Sequence, residues 1–506
     1  MGDSLERLKR RLKEARDLQH ALSVLGWDQQ THMPPGGARA RAAQISTLAK
    51  IQHEIFVSDK TRELIEAARA EAGELAYDSD DAALLRVATR DWENFHKLPP
   101  SFIAEVSSHS SISQQVWAKA RENDDFASFS GCLQKTVQYS RQGAEYLGYE
   151  ENQYDALLDQ FEPGMRASQV KVLFDSLKSD LVPLATAIYE RADSVSDEPI
   201  RRPFDELKQE EFGVMVAKAI GYDFSRGRQD RAVHPFCTSF SRDDVRITTR
   251  FEPEFLNPAL FGTMHETGHA LYEQGVGENL SDSPLGTGTS LGVHESQSRL
   301  WENVVGRSRG FWTHFYPLLQ QTFPEPLRDV DLEAFYRAIN KVQPSLIRVE
   351  ADEVTYTLHI MLRFEMELGL LDGSIRVPDA PGIWNEKYQE YLGVTPPNDR
   401  LGILQDVHWS QGILGYFPTY AIGTILSLQL FETAVEAHPS IPDDISNGRF
   451  DTLRSWLTKS VYRHGRKYEP LELVQRATGR PLETGPYISY LNRKFGEIYG
   501  LAPSLT

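Results

Sequence analysis

The stretch FGTMHETGHALYEQG, residues 261–275, places His265 and His269 four positions apart with Glu266 directly after the first. On a helix, four residues advance about 6 Å and slightly more than one turn, so the two imidazoles leave the same face. So placed, they can share one Zn²⁺, with each nitrogen about 2.0–2.1 Å from the ion. Glu266 then stands beside the metal without binding it, where a general base for an activated water belongs. This chemistry requires a helix, and the flanking residues predict one. Asn257-Pro258 reads as an N-cap followed by proline at the first helical position, and Gly275 as the stop. Between them Leu260, Phe261, Met264, Gly268, Leu271 and Tyr272 recur at spacings of three and four. Gly268 costs about 1 kcal/mol of helix stability relative to alanine, unless a close neighbour needs the room.

A chain with 14 histidines can match a five-residue pattern by chance, so a third ligand is needed. Glu295 offers one. It follows a Gly/Ser-rich loop, residues 275–292, and stands in the first turn of the next predicted helix. Two histidines, one glutamate and one open position form a catalytic arrangement, whereas a structural zinc site is closed by four protein ligands. Glu302, on nearly the same face of that helix, is the rival carboxylate, and position favours Glu295.

Helices must position these groups. Leu5, Leu8, Leu12, Ala15, Leu18 and Leu22 predict one long amphipathic helix behind an Asp3/Ser4 cap. The segment WDQQTHMPPGGARARAAQ, residues 27–44, breaks at Pro34-Pro35-Gly36-Gly37 and restarts as a helix, with His32 read as structural. Helical periodicity continues to about residue 190, interrupted at 98–101, and resumes after residue 295. One β signal stands out: two β-branched and aromatic runs in 232–251 flank a Ser-Arg-Asp-Asp turn, which predicts an antiparallel hairpin. There is no internal repeat and no break in composition. The expectation is a single, mainly α domain over 1–506, with N-terminal helices in 1–75, the chemistry in 232–409 and a small antiparallel sheet beside the zinc helix.

Composition narrows the function further. A formal charge of −18 argues against nucleic acid and anionic membranes, both of which demand basic surface. Cys132 and Cys237, the only cysteines, can build neither a disulfide framework nor a Cys-rich zinc site. Residues 1–17 show no apolar signal-peptide core, and no run reaches the 18 apolar residues of a membrane span. A cytoplasmic enzyme is the expectation.

Six stretches, HETGH among them, make the reading specific: HPF at 234–236, DVRIT at 244–248, HETGH at 265–269, HESQS at 294–298, IRVEADE at 347–353 and GILQDVHW at 402–409. Together with WDQQTHMP near the N-terminus, they resemble, in order, the thermostable carboxypeptidase Taq family of zinc metallocarboxypeptidases. The resemblance covers essentially the whole chain. It implies a deep active-site groove, one Zn²⁺ per chain (Co²⁺ or Mn²⁺ as substitutes) on His265, His269 and Glu295, and Glu266 acting on the water. It also implies peptide substrates with a free C-terminus and a homodimer. His408 and Tyr420, in QDVHWSQGILGYFPTY, are candidate oxyanion donors, through an imidazole N–H and a phenol O–H.

A carboxypeptidase must also bind a terminal carboxylate, which arginine does bidentately. Arg348 is expected on a helix with Asp352 and Tyr356 at i+4 and i+8, and Asp352 could orient its guanidinium. From the residues alone an intrahelical ion pair competes with that role; the resemblance favours the substrate contact. By resemblance, Arg246 and His234 line the cleft. Two alternatives stay open: an oligopeptidase or dipeptidyl carboxypeptidase with the same zinc centre, and a non-catalytic helical zinc- or peptide-binding protein, in which Glu266 would have no task.

Overall fold

Leu5, Leu8, Leu12 and Ala15 are buried along one face of the Asp3–Thr31 helix, as their spacing predicts. The three leucines pack on Leu64, Ile65 and Ala68 of the Asp59–Ala72 helix, on Leu84 and Ala88 of the Asp80–Lys97 helix, and on Val276 and Leu280. The structure, a computed structural model, describes residues 3–73 and 75–501. It is mainly helical, and no described helix is long and apolar enough to cross a membrane. The chain falls into two compact units, each assembled from three segments. The first comprises Met1–His96, Asp197–Ile339 and Leu430–Pro481; the second comprises Lys97–Ser196, Asn340–Gln429 and Leu482–Thr506.

The first unit holds the predicted hairpin, β2 (Cys237–Ser241) and β3 (Asp244–Thr249), with a register irregularity between Ser239 and Ser241. A third strand, β1 (Gln229–Arg231), pairs with β3 in parallel, so the sheet is mixed rather than purely antiparallel. Its Gln-Asp-Arg sequence has no apolar alternation to announce it. Val245 and Ile247 of β3 pack with Ala217, Tyr222 and Ala270, which seats the sheet on the H-E-x-x-H helix. The 27–34 stretch closes one side. Trp27 meets Phe240 edge-on at 6.5 Å, and His32 Nε2 lies 2.9 Å from Asp230 Oδ1, the structural role expected of it.

The H-E-x-x-H helix runs Asn257–Gly275, so Asn257 is its first residue rather than its cap, with Pro258 still in the first turn. It is buried on almost every side. The following helix, Leu291–Arg299, is capped by Ser290, whose hydroxyl accepts from Val293 N–H at 3.1 Å, and continues into a π-helical turn, Leu300–Val305. These two helices meet at Gly268. A Cβ there would stand 2.4 Å from the Gln297 carbonyl oxygen and 2.6 Å from Ser298 Cα, both backbone atoms with nowhere to go. The close neighbour that would justify this glycine exists.

In the second unit, Arg348 does not lie on a continuous helix. It sits in a short 3₁₀ turn, Arg348–Glu350, and the helix begins only at Tyr356, running Tyr356–Asp372. Asp352 is the reason: its Oδ1 accepts from the backbone N–H groups of Val354 and Thr355, each at 3.0 Å, and so starts the new helix instead of continuing an old one.

Gly268→Ala should push the two metal-site helices apart. Overpacking of this kind costs about 1–3 kcal/mol, and the misplaced ligands should weaken metal binding by an order of magnitude or more. Thermal unfolding and metal titration read both effects; unchanged values for both would show that the contact does not set the site.

Candidate active site

Each imidazole of the H-E-x-x-H pair is held from behind. His265 Nδ1 donates to Glu302 Oε2 at 2.9 Å. His269 Nδ1 lies 2.5 Å from His294 Nδ1, and His294 Nε2 lies 2.9 Å from Glu273 Oε1. Glu273 also accepts from the Thr287 hydroxyl at 2.9 Å and the Gly288 N–H at 3.3 Å. An ionised carboxylate can only accept, so His294 donates from Nε2 and accepts at Nδ1. His269 therefore carries its proton on Nδ1, and the relay fixes its tautomer.

The opposite ring nitrogens converge. Nε2 of His265 and Nε2 of His269 stand 3.6 Å and 3.5 Å from Glu295 Oε2, and the three ligand atoms lie within 4.8 Å of one another. Two ligands about 2.0–2.1 Å from a tetrahedral ion stand roughly 3.3–3.4 Å apart, so this donor set fits a small divalent cation. Glu302 meets His265 on the ring's far nitrogen. That geometry supports Glu295 as the third ligand and makes Glu302 an orienting group.

The carboxylates are held as anions by two arginines. Arg299 Nε donates to Glu295 Oε1 at 2.8 Å, and its Nη1 reaches Glu302 Oε2 at 3.4 Å. Arg307 Nη2 adds a contact to Glu302 Oε1 at 3.6 Å. Burial opposes ionisation of Glu295 and Glu302, but Arg299 and the histidines outweigh it and hold both well below the usual carboxylate range. Glu266 goes the other way. Buried, with no donor hydrogen-bonded to it among the described residues, it is pushed up to about 7 by burial. Neighbouring carboxylates driven apart in this way are the usual division between ligand and base.

The second unit gathers a different group. Arg348, 5 % exposed, donates from Nε and Nη2 to Asp406 Oδ1 at 3.0 Å and 2.8 Å, and from Nη1 to the Tyr356 hydroxyl at 3.2 Å. Arg363, wholly buried, donates from Nε to Asp406 Oδ2 at 2.6 Å. The partner that orients Arg348 is thus Asp406, because Asp352 is occupied in starting the helix. Tyr420 belongs to the same cluster: its ring lies 5.0 Å from the Arg348 guanidinium and its hydroxyl 3.5 Å from His408 Nε2. His408 is pushed down to about 4, chiefly by burial, so its ring is neutral near pH 7.

The hairpin residues are placed less tellingly. Arg246 grips Asp244 bidentately at 2.9 Å and 2.8 Å, with the Trp27 and Phe240 rings 4.3 Å and 4.8 Å from its guanidinium. His234 is exposed in the segment leading to β2.

The carboxypeptidase Taq (M32) metallopeptidase family model matches residues 7–495. The chain belongs to that family. Carboxypeptidase 1 of Bacillus subtilis is 39 % identical over 488 residues, spanning 96 % of this chain and 97 % of its own. Thermostable carboxypeptidase 1 of Thermus thermophilus is 39 % identical over 490 residues, spanning 94 % and 95 %. The crystal structure of an M32 carboxypeptidase from Deinococcus radiodurans R1 superposes with a TM-score of 0.96 at 42 % identity, covering 99 % of this chain and 100 % of that one.

The groups that stand behind the candidate ligands, Glu302 apart, are not named by the sequence reading. Glu273 lies one helical turn beyond His269, His294 directly precedes Glu295, and Arg299 stands at i+4 from Glu295; each spacing was readable. Arg363 and Asp406 are far apart in sequence, and no local pattern joins them.

Burial works against charge on His265, but Glu295 and Glu302 outweigh it and hold the imidazole up at about 9. Nε2 must lose its proton to ligate, so below pH 9 a cation competes with that proton. Apparent metal affinity should rise up to about tenfold per unit between roughly pH 6 and 8 and level off near 9. Equilibrium dialysis across that range checks it; a flat profile would mean His265 carries no competing proton.

Proposed function

We propose that this M32 metallopeptidase releases single C-terminal residues from peptides, using one divalent metal on His265, His269 and Glu295. The nitrogen-rich, borderline donor set favours zinc, with cobalt or manganese as substitutes. When bound, the ion supplies Lewis acidity for the water and for the scissile carbonyl. Glu266 takes the proton of the attacking water and returns it to the leaving amine, a task suited to a carboxyl poised near neutrality. Neutral His408 and the Tyr420 hydroxyl are the donors we assign to the developing oxyanion. His234 and the Nη1 edge of Arg246 are left to line the substrate cleft. A homodimer is inferred from the family resemblance alone, and light scattering tests it.

One observation carries the exopeptidase reading. Arg348 and Arg363 share the carboxylate of Asp406, and Glu367, the other buried carboxyl beside Arg363, is pushed up to about 7 by burial, so the cluster carries an excess of positive charge. A buried unpaired charge is costly, and a substrate carboxylate removes that cost. Arg348 has Nε and one Nη2 hydrogen committed to Asp406, so the α-carboxylate meets its Nη1–Nη2 end.

Glu266→Gln should keep the metal while kcat falls by at least about 10²-fold. Loss of the metal in this variant would make Glu266 part of the binding site. Chelation of the wild type should abolish hydrolysis, with zinc or cobalt restoring it.

C-terminal amidation of the peptide, or Arg348→Ala, should each lower kcat/KM by roughly 10- to 100-fold, the worth of a charge-assisted contact. The two losses should not add, because each removes the same contact. Mass analysis of products from the four combinations decides. Internal fragments, or equal cleavage of both peptides by wild type, would favour an endopeptidase; full additivity would move the carboxylate's partner elsewhere, with Arg246 the next to test.

A further inference from the structure

Gly277 and Leu280, just past the end of the H-E-x-x-H helix, form one wall of a cavity of about 570 Å³. The opposite wall is the Asp451–Ser460 helix and the turn that follows it, tied to the first by a hydrogen bond from Gly277 N–H to the Arg463 carbonyl at 3.3 Å. Arg454, Lys459, Arg463 and Lys467 all line this cavity, against the single carboxylate of Asp80. In a chain of net charge −18 such a gathering of cations is a local feature, not a by-product of composition.

Two of these charges are accounted for. Lys467 pairs with Asp80 at 2.7 Å and Arg454 with Asp451 at 2.5 Å. No described carboxylate lies in ion-pair contact with Lys459 or Arg463, and Asp80, which burial would raise, is held below its ordinary pKa by Lys467, Asn279 and Arg463 together, so one carboxylate answers several cations. The C-terminus of the Asp451–Ser460 helix attracts cations, but it offers only about half an elementary charge, against two. His464, its Nε2 engaged by the Lys459 carbonyl at 3.1 Å, is held below its ordinary pKa by burial, reinforced by Arg463 and Lys467. The hydroxyls of Ser455 and Thr458 add neutral donors, and Leu280 is the one large apolar side chain in the lining. Among the described residues of the lining the one aromatic ring is the His464 imidazole, already engaged by the Lys459 carbonyl, so the cavity offers no large ring on which to stack a nucleobase.

We propose that this cavity binds a small polyphosphate anion, recognised through a diphosphate group. The volume falls in the usual range for small-molecule sites, about 300–1,000 Å³. The cations come from two places along the chain, Arg454 and Lys459 on the helix and Arg463 and Lys467 after it, an arrangement suited to more than one phosphate. Arginine and lysine together are the usual partners of such groups. None of the four takes part in the hydrolytic chemistry, so this site stands independently of it.

The test is isothermal titration of diphosphate, and separately of inorganic phosphate, into the metal-loaded protein and its Lys459→Glu/Arg463→Glu variant. Both substituted side chains are exposed, and thermal unfolding and metal content confirm that the variant is intact. Any heat from diphosphate drawing on the metal is common to both proteins, so the difference belongs to the cavity. Wild type should bind diphosphate more tightly than phosphate, and the variant should bind it at least about 100-fold more weakly while hydrolysing peptides at the wild-type rate. Indistinguishable titrations of the two proteins would overturn the site. Phosphate binding as tight as diphosphate would overturn the two-phosphate recognition.

Discussion

The backbone contact at Gly268 is the constraint from which the candidate metal centre follows. Three ligand atoms on two helices can converge within a few ångströms only if the helices lie closer than side chains normally permit. Gly268 allows that approach against Gln297 and Ser298, next to Glu295 in the chain. Seen this way, the loss of helix propensity at a central glycine is a packing requirement. The Ser290 cap fixes where the second helix starts, and hence which of its residues reach the histidines.

Charge is organised in two opposite ways. Around the candidate metal ligands, ionised Glu273, Glu295 and Glu302 face Arg299, Arg307 and a protonated His265, so a bound cation takes the place of the proton on His265 and is met by the carboxylates. Around Asp406, the two guanidiniums outnumber the carboxylate, a positive surplus that suits an anion. In both places the buried groups are held by hydrogen bonds to one another before any ligand arrives, so little reorganisation is left to binding. The buttresses behind His265 and His269 do the same for direction: a ring that cannot rotate presents one nitrogen only.

Much of this was legible in the sequence, where local spacing carries the information. The H-E-x-x-H helix, its glycine stop, the hairpin and the N-terminal amphipathic helix all follow from periodicity and turn chemistry. So does the preference for Glu295 over Glu302, though not the latter's part in orienting His265. The failures share a cause. Asp352 looked like an i+4 partner of Arg348 because helical periodicity was extended through a residue whose own side chain begins a new helix. Asp406 and Arg363 are joined only by the tertiary fold, and β1 is a polar tripeptide recruited by a neighbour. Spacing rules describe what one element does alone; these residues answer to a second element.

The interleaving of the two units bears on how the protein is made. Each unit draws on three separate stretches, and the first is complete only when Leu430–Pro481 has been added. During synthesis from the N-terminus, neither core can close until nearly the whole chain has left the ribosome, a topology that delays folding and leaves apolar surface waiting. The candidate metal ligands and the residues that buttress them are an exception, since all fall within the single segment Asp197–Ile339. The chemically demanding part is local, while the scaffold that shelters it is assembled last.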